Sequence, residues 1–477
     1  MISGNKTQPG TLFGQRAEGA PMEASPVIAS DESENKHSSH SLAFAGLFLF
    51  TLLLYARPQE LFPQLFGNLP LVKVIAIGTL LAYTGGKLRA GESFTIWPLE
   101  MKMLALILLL GVAFLPVAVW PGHSIALLTD SFFKVITIFV LMVNLIDTRQ
   151  RLHSIMRLVV ICGVLIALFT IKSYFTGELG ISHLAKGAQI GVVGTVFDNT
   201  NELALMLDIL LPIAIVFAVT SKGMARIGYA VCAGIIGMAA VMTFSRGGFL
   251  GLVSMGVVLM WKLGRGKRAT MVLAGVLLAG VFVTAMPSGY SDRLFTILHP
   301  SDDSTNSAQE RQAILGRAVE VALHHPIIGI GLANFAEYSP NGKVAHNSYV
   351  EIAAELGWIG LLAYMIFLVA PFRLLKQIER GSFSSGLFSD SDADGRREMY
   401  SLSVGLQAMI VAFMVCSFFA SVQYSWHPYY IVGFSISLRR IYAARFAIGQ
   451  ASANAEAVSP AAGGALWKMS GQRSGVV

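Results

Sequence analysis

The residues of this chain that could do chemistry are a few polar side chains set between long apolar runs. Thr243-Phe244-Ser245-Arg246-Gly247-Gly248 separates two such runs by almost nothing, which holds Arg246 at or just under a membrane interface. An arginine at the bilayer centre costs roughly 2.5–3.5 kcal/mol on insertion scales, so one near that depth faces a polar cavity, a carboxylate or an anionic ligand, or snorkels to the headgroups. From Ser307 to His325, Ile314, Leu315, Ala318, Val319 and Ala322 repeat with helical spacing. At about 100° per residue Arg311 falls on that apolar stripe, and Glu310, Arg317 and Glu320 fall on the other side. An arginine turned inward pairs with a structural carboxylate or with a ligand. Ala345-His346-Asn347-Ser348-Tyr349 then leads into another apolar run. His346 therefore opens a helix, where the positive dipole end disfavours imidazolium and leaves a ring able to accept a proton; capping and packing are its other common uses there.

The elements that must position these residues follow from composition. Of 477 residues 54% are hydrophobic and only 13% charged, about half the charged fraction of a soluble domain. Apolar runs beginning near Leu42, Leu69, Met103, Ser131, Ile155, Leu203, Ile227, Gly247, Thr270, Tyr349, Ser403 and Trp426 predict an all-α, polytopic integral membrane protein of about twelve transmembrane helices. The expected organisation is a disordered cytoplasmic tail over 1–40, a transmembrane domain over 41–445 with an extracytoplasmic loop inserted at 288–347 before the tenth helix, and a second disordered tail over 446–477. Lysines and arginines crowd alternate connectors, for example Arg149, Arg151 and Arg157, then Lys222 and Arg226, then Arg439, Arg440 and Arg445. The positive-inside rule puts those connectors and both termini in the cytoplasm, and Arg246, Arg311 and His346 outside. The net charge of +7 is spread through connectors rather than gathered in a patch, which argues against nucleic acid as a partner. Cys162, Cys232 and Cys416 lie within apolar runs, without metal-ligand spacing.

Other signals are weaker. Glu351 and Glu355 share a helix face about 140–180° from His346 and read as buried structural carboxylates that need a cationic partner. Asp208 and Lys134 lie inside spans and are functional candidates by position, with no partner that the sequence names. Asp390-Ser391-Asp392-Ala393-Asp394 reads as a solvated cytoplasmic loop, and Gly329-Ile330-Gly331 as a turn.

Four segments together resemble the O-antigen ligase and polymerase superfamily, over roughly Gly191 to Leu361. They are Gly194-Thr195-Val196-Phe197-Asp198-Asn199-Thr200-Asn201-Glu202-Leu203-Ala204; Phe244-Ser245-Arg246-Gly247; Glu310-Arg311 followed by His325-Pro326-Ile327-Ile328-Gly329-Ile330-Gly331; and His346-Asn347-Ser348-Tyr349 with Glu355-Leu356-Gly357 and Gly360-Leu361. Tyr55-Ala56-Arg57-Pro58-Gln59-Glu60 looks like a protein O-glycosylation ligase branch. The resemblance implies a membrane-embedded glycosyltransferase of GT-C-like fold in a Gram-negative inner membrane, its active site periplasmic. It further implies a metal-independent, inverting reaction with no cofactor, an undecaprenyl-diphosphate-linked glycan as donor and lipid A-core oligosaccharide as acceptor. The family's conserved arginines fall on Arg246 and Arg311, as diphosphate binders, and its histidine on His346, as the catalytic base; Asn201, Arg317 and Asn347 are further candidates. An O-antigen polymerase or a protein ligase would use the same parts. A transporter of anionic solute or lipid, binding substrate through the arginines without chemistry, is the reading from another class.

Overall fold

Each expected span start, except the one near Thr270, falls in or beside a helix of the computed structural model, which describes residues 40–56, 64, 70–176, 199–264, 307–382 and 393–458. The Thr270 span, the tail over 1–39, Arg57 to Glu60, Gly194 to Asp198, the 288–306 part of the loop, Asp390 to Asp392 and the stretch after 458 lie outside the described residues. In chain order the helices are α1 (Ser41–Ala56), α2 (Leu71–Ala90), α3 (Leu99–Ala113), α4 (Pro121–Leu145), α5 (Arg149–Phe175), α6 (Thr200–Thr220), α7 (Gly223–Met242), α8 (Arg246–Leu263), α9 (Ser307–His324), α10 (Ser348–Gly381), α11 (Ala393–Cys416) and α12 (His427–Val458). No strand occurs among the described residues. Eight of these helices are long and apolar enough to cross a membrane. Their outward faces carry exposed residues such as Leu81, Ile161, Leu165, Val231, Met238 and Leu362. Apolar surface on that scale suits acyl chains, not water.

Helices α6 and α11 are the most deeply buried of the spans, with α8 packed against both. The close approach depends on Gly251, where a Cβ would lie 2.2 Å from Cys416 Sγ and 2.8 Å from Asp208 Oδ2. In hydrocarbon, where burial gives helices little mutual attraction, small residues of this kind gain contact by letting backbones approach. Asp208 is thereby enclosed between α6, α8 and α11, its Oδ2 3.5 Å from Cys416 Sγ. It is fully buried and lines none of the cavities described below.

Because consecutive spans alternate in direction, the bundle has two dissimilar ends. The basic end gathers Arg149, Lys222, Lys262 and Arg440. The site end gathers the starts of α6, α8, α10 and α12 and the turn that follows α11. Helix α12 runs on to Val458, past the boundary at 445 that composition suggests. Its last turns, Ala451-Ser452-Ala453-Asn454-Ala455-Glu456-Ala457-Val458, are rich in alanine, the best helix former.

Candidate active site

Arg246 occupies the first turn of α8, behind an N-cap formed by Ser245. The Ser245 hydroxyl accepts from Gly248 N at 3.0 Å and donates to Asn201 Oδ1 at 2.6 Å. Asn201 sits in the first turn of α6, itself capped by Asn199. One hydroxyl thus satisfies an orphan helix donor and ties the Arg246 corner to the start of α6. Phe244, just before it, holds a left-handed backbone (φ 56°) and stacks on Tyr174. Gly247 then meets the turn after α11: its carbonyl lies 3.6 Å from Cys416 Sγ, and a Cβ there would lie 2.8 Å from Phe419 Cβ.

That same turn holds the His346 corner. Ser348 N donates to Ser417 O at 3.0 Å, the Ser348 hydroxyl donates to Ala420 O at 2.7 Å, and Val422 N donates back to that hydroxyl at 2.9 Å. Asn347 caps α10, its Oδ1 accepting from Tyr349 N and Val350 N. Arg246 and His346 therefore flank one short turn, although they lie far apart in the chain.

Helix α9 brings in Arg311. Its buried face is Ile314, Ala318, Val321 and Ala322, while Val319 is 42% exposed. The apolar stripe is thus rotated toward Val321 from the expected position, and Arg311, one turn before Ile314, stays on it. Glu310 bridges to Lys343 at 2.6 Å, so it fastens α9 to the segment before His346 while its side chain stays 37% exposed. His346 has a left-handed backbone, φ 51°. Its pKa is pushed down to about 4, first by burial, then by the nearby positive charges of Arg311 and Lys343, with Glu310 opposing. The imidazole is neutral near pH 7, and its buried Nδ1 has no hydrogen-bond partner among the described residues.

Arg317 is engaged elsewhere. Its guanidinium donates to Glu320 at 2.8 Å and to Tyr338 O at 3.1 Å, and it is not among the charges that act on His346. Asn201 and Asn347 are buried at the corners just described, and each keeps an Nδ2 with no partner among the described residues.

Behind His346, Glu351 and Glu355 are buried. Glu351 accepts from Ala345 N at 2.7 Å, from the Ser421 hydroxyl and from Gln423 Nε2 at 2.8 Å. Glu355 accepts from Tyr424 OH at 2.8 Å and from Phe335 N at 3.3 Å. Their hydrogen bonds come from uncharged groups, which corrects the expectation of a cationic partner: several fixed dipoles can share the solvation of a buried carboxylate. Lys134 lines the same cavity of about 560 Å³ as both glutamates. Gly329-Ile330-Gly331 is more than a turn. Ile330 N and Gly331 N donate to Ala354 O and Glu355 O, and Trp358 N donates to Pro326 O. These bonds clasp α10 at Gly357, which breaks the helix with φ 69°, and a Cβ there would lie 2.5 Å from Ile327 O.

The sequence reading passed over the turn between α11 and α12. Its signal was present: Ser421, Gln423, Tyr424, Ser425 and Trp426 form a polar, aromatic cluster between two apolar runs. Among the described residues no three histidine, cysteine, aspartate or glutamate side chains form a group that could hold a metal ion.

Fold and site define a class: a multi-span helical membrane protein with a half-buried cation and histidine corner at one end of its bundle. More particularly, residues 230–365 match a family model described as O-Antigen ligase. The match contains Arg246, Arg311 and His346 and agrees with the superfamily resemblance drawn from the motifs. No curated protein matches the chain.

Proposed function

We propose that this chain is a membrane glycosyltransferase of the periplasmic face of a Gram-negative inner membrane, moving a preassembled polysaccharide from undecaprenyl diphosphate to a lipid A-core sugar by a metal-independent, inverting reaction. One observation carries the proposal: Arg311 acts electrostatically on a half-buried, neutral His346 whose buried Nδ1 has no partner among the described residues. The sidedness rests on charge, since the opposite end of the bundle holds most of the connector lysines and arginines.

In the proposed step an acceptor hydroxyl oxygen attacks the anomeric carbon while His346 takes its proton. The bond from that carbon to the diphosphate oxygen breaks, and the electron pair stays on the diphosphate. A single displacement inverts the configuration, and the imidazolium later returns its proton to solvent. Arg246 and Arg311 meet the charge that develops on the leaving diphosphate, through charge-assisted and bidentate hydrogen bonds. A base with a pKa of about 4 is weak in the empty site. A diphosphate seated against Arg311 offsets that cation, the second cause of the depression after burial, and raises the pKa of the imidazole, so donor binding strengthens the base.

The test is transfer in vitro by purified protein with lipid-linked glycan and, in parallel, core lipid A, a growing glycan and a protein as acceptors, each with and without EDTA. Transfer to core lipid A with an inverted linkage, unaffected by chelation, is expected. Complete loss with EDTA ends the metal-free mechanism, and undiminished transfer by His346→Ala ends the role of the base. Labelling of a cysteine at position 246 from both faces of the membrane would point to transport instead.

A further inference from the structure

The cavity beside Glu351 and Glu355 has a chemistry of its own. Its volume of about 560 Å³ lies within the roughly 300–1,000 Å³ of small-ligand sites. It opens at the site end, between the start of α10, the first half of α4 and the turn leading into α12. Its polar wall is mixed and suits a ligand rich in hydroxyls: two carboxyl groups and Gln423 stand beside the hydroxyls of Ser131, Ser421, Tyr424 and Ser425 and the ammonium of Lys134. Gln423 is 1% exposed, and its Nε2 donates to Glu351 while its Oε1 has no partner among the described residues. A buried carbonyl left this way costs roughly 1–3 kcal/mol, a cost that a donor on a ligand would remove. Tyr424 and Trp426 add aromatic surface. An uncharged polyol matches such a wall, since it offers many O–H groups that both donate and accept, and C–H faces that lie well on aromatic rings.

Position links the cavity to the base. Val344 lines it, Ala345 N donates into Glu351, and His346 follows. Two peptide steps separate Val344 from His346, so their Cα atoms are within about 7.6 Å. We infer that this cavity is the acceptor subsite and takes an uncharged, hydroxyl-rich sugar unit, held by Glu355, Gln423 and Glu351 with its reactive hydroxyl turned toward His346, while the diphosphate stays with the arginines. The inference rests on the glycosyltransferase reading above and assigns the acceptor a place in it.

Initial rates of the full-length protein in nanodiscs, with lipid-linked glycan as donor and delipidated core oligosaccharide as acceptor, test it. Glu355→Gln and Gln423→Leu are expected to raise the KM for the oligosaccharide about ten- to a hundredfold, the effect of losing one or two hydrogen bonds to a buried polar group. The donor KM and the rate at saturating acceptor stay within about twofold. Ser131→Trp fills the exposed rim of the cavity without removing an internal hydrogen bond, and is expected to produce the same rise even if the first two variants fold poorly. An unchanged acceptor KM in Ser131→Trp, or a rise confined to the donor KM, overturns the subsite while leaving the transferase reading intact. A wild-type protein that transfers nothing to any sugar acceptor overturns both.

Discussion

At the basic end of the bundle charges meet in pairs: Arg149 Nε with Glu398 at 2.7 Å, Lys222 with Asp394 at 2.7 Å, and Lys262 with both Glu379 at 2.6 Å and Gln407 at 2.8 Å. Glu100 and His40 depart from this, each with buried polar atoms that lack a hydrogen-bond partner among the described residues. The site end is built differently. There burial and the cation Arg311 depress the pKa of a histidine, two buried carboxyl groups accept from uncharged donors, and His346, Asn201, Asn347 and Gln423 each keep a buried polar atom without a partner among the described residues. Pairing charges closes a bundle. Leaving buried groups unmatched, at roughly 1–3 kcal/mol each, makes sense where something else is to supply the match.

Substitution should separate the two ends. The largest effect is expected at His346→Ala: transfer falls about 10²–10⁴-fold while the unfolding midpoint of the detergent-solubilised protein is not lowered. Should the variant melt early and keep its activity per folded molecule, the contrast between the ends disappears. Next come Arg246→Lys and Arg311→Lys, which keep the charge and lose the planar fork. About a ten- to hundredfold loss in kcat/KM for the lipid-linked donor is expected, with acceptor KM unchanged.

A pH profile sharpens the same point. In the proposed mechanism the base is neutral His346, so activity is expected to fall as pH drops through the pKa. The acid limb of kcat/KM for donor, which reports the empty site, is expected near pH 4, and the limb of kcat, which reports the donor complex, at higher pH. Coincident limbs would show that bound diphosphate does not act on the imidazole. The basic end supplies the smallest effects. Glu398→Gln should cost about 1 kcal/mol of stability, discounted because the Arg149 side chain is 48% exposed, with transfer per folded molecule unaltered. Thermal melts beside transfer rates measure both.

Much of this was legible in the chain. Helical period put Arg311 on the inward face of α9, and the Ala345–Tyr349 segment put His346 at a helix start, because both are local properties of the backbone. Partners brought together by tertiary packing were not legible. Gln423 reaches Glu351 across 72 residues, and Lys343 reaches Glu310 across 33. No periodicity carries such distances, so neither the bridge from Glu310 nor the uncharged partners of Glu351 could be read from it. The rotation of the α9 stripe from Val319 to Val321 has the same origin: both are valines, and only the packing of Ile330, Phe335 and Ala354 around that face chooses between them.

The backbone at His346 carries one more consequence. A side chain with a Cβ is held there in a left-handed shape that ordinary residues disfavour by about 1–2 kcal/mol and that glycine adopts freely. Glycine at 346 would give a steadier molecule with nothing to receive a proton. In the proposed role of His346 the fold tolerates a worse local conformation here to keep an imidazole in place, and screening for thermostability alone would select against the ring.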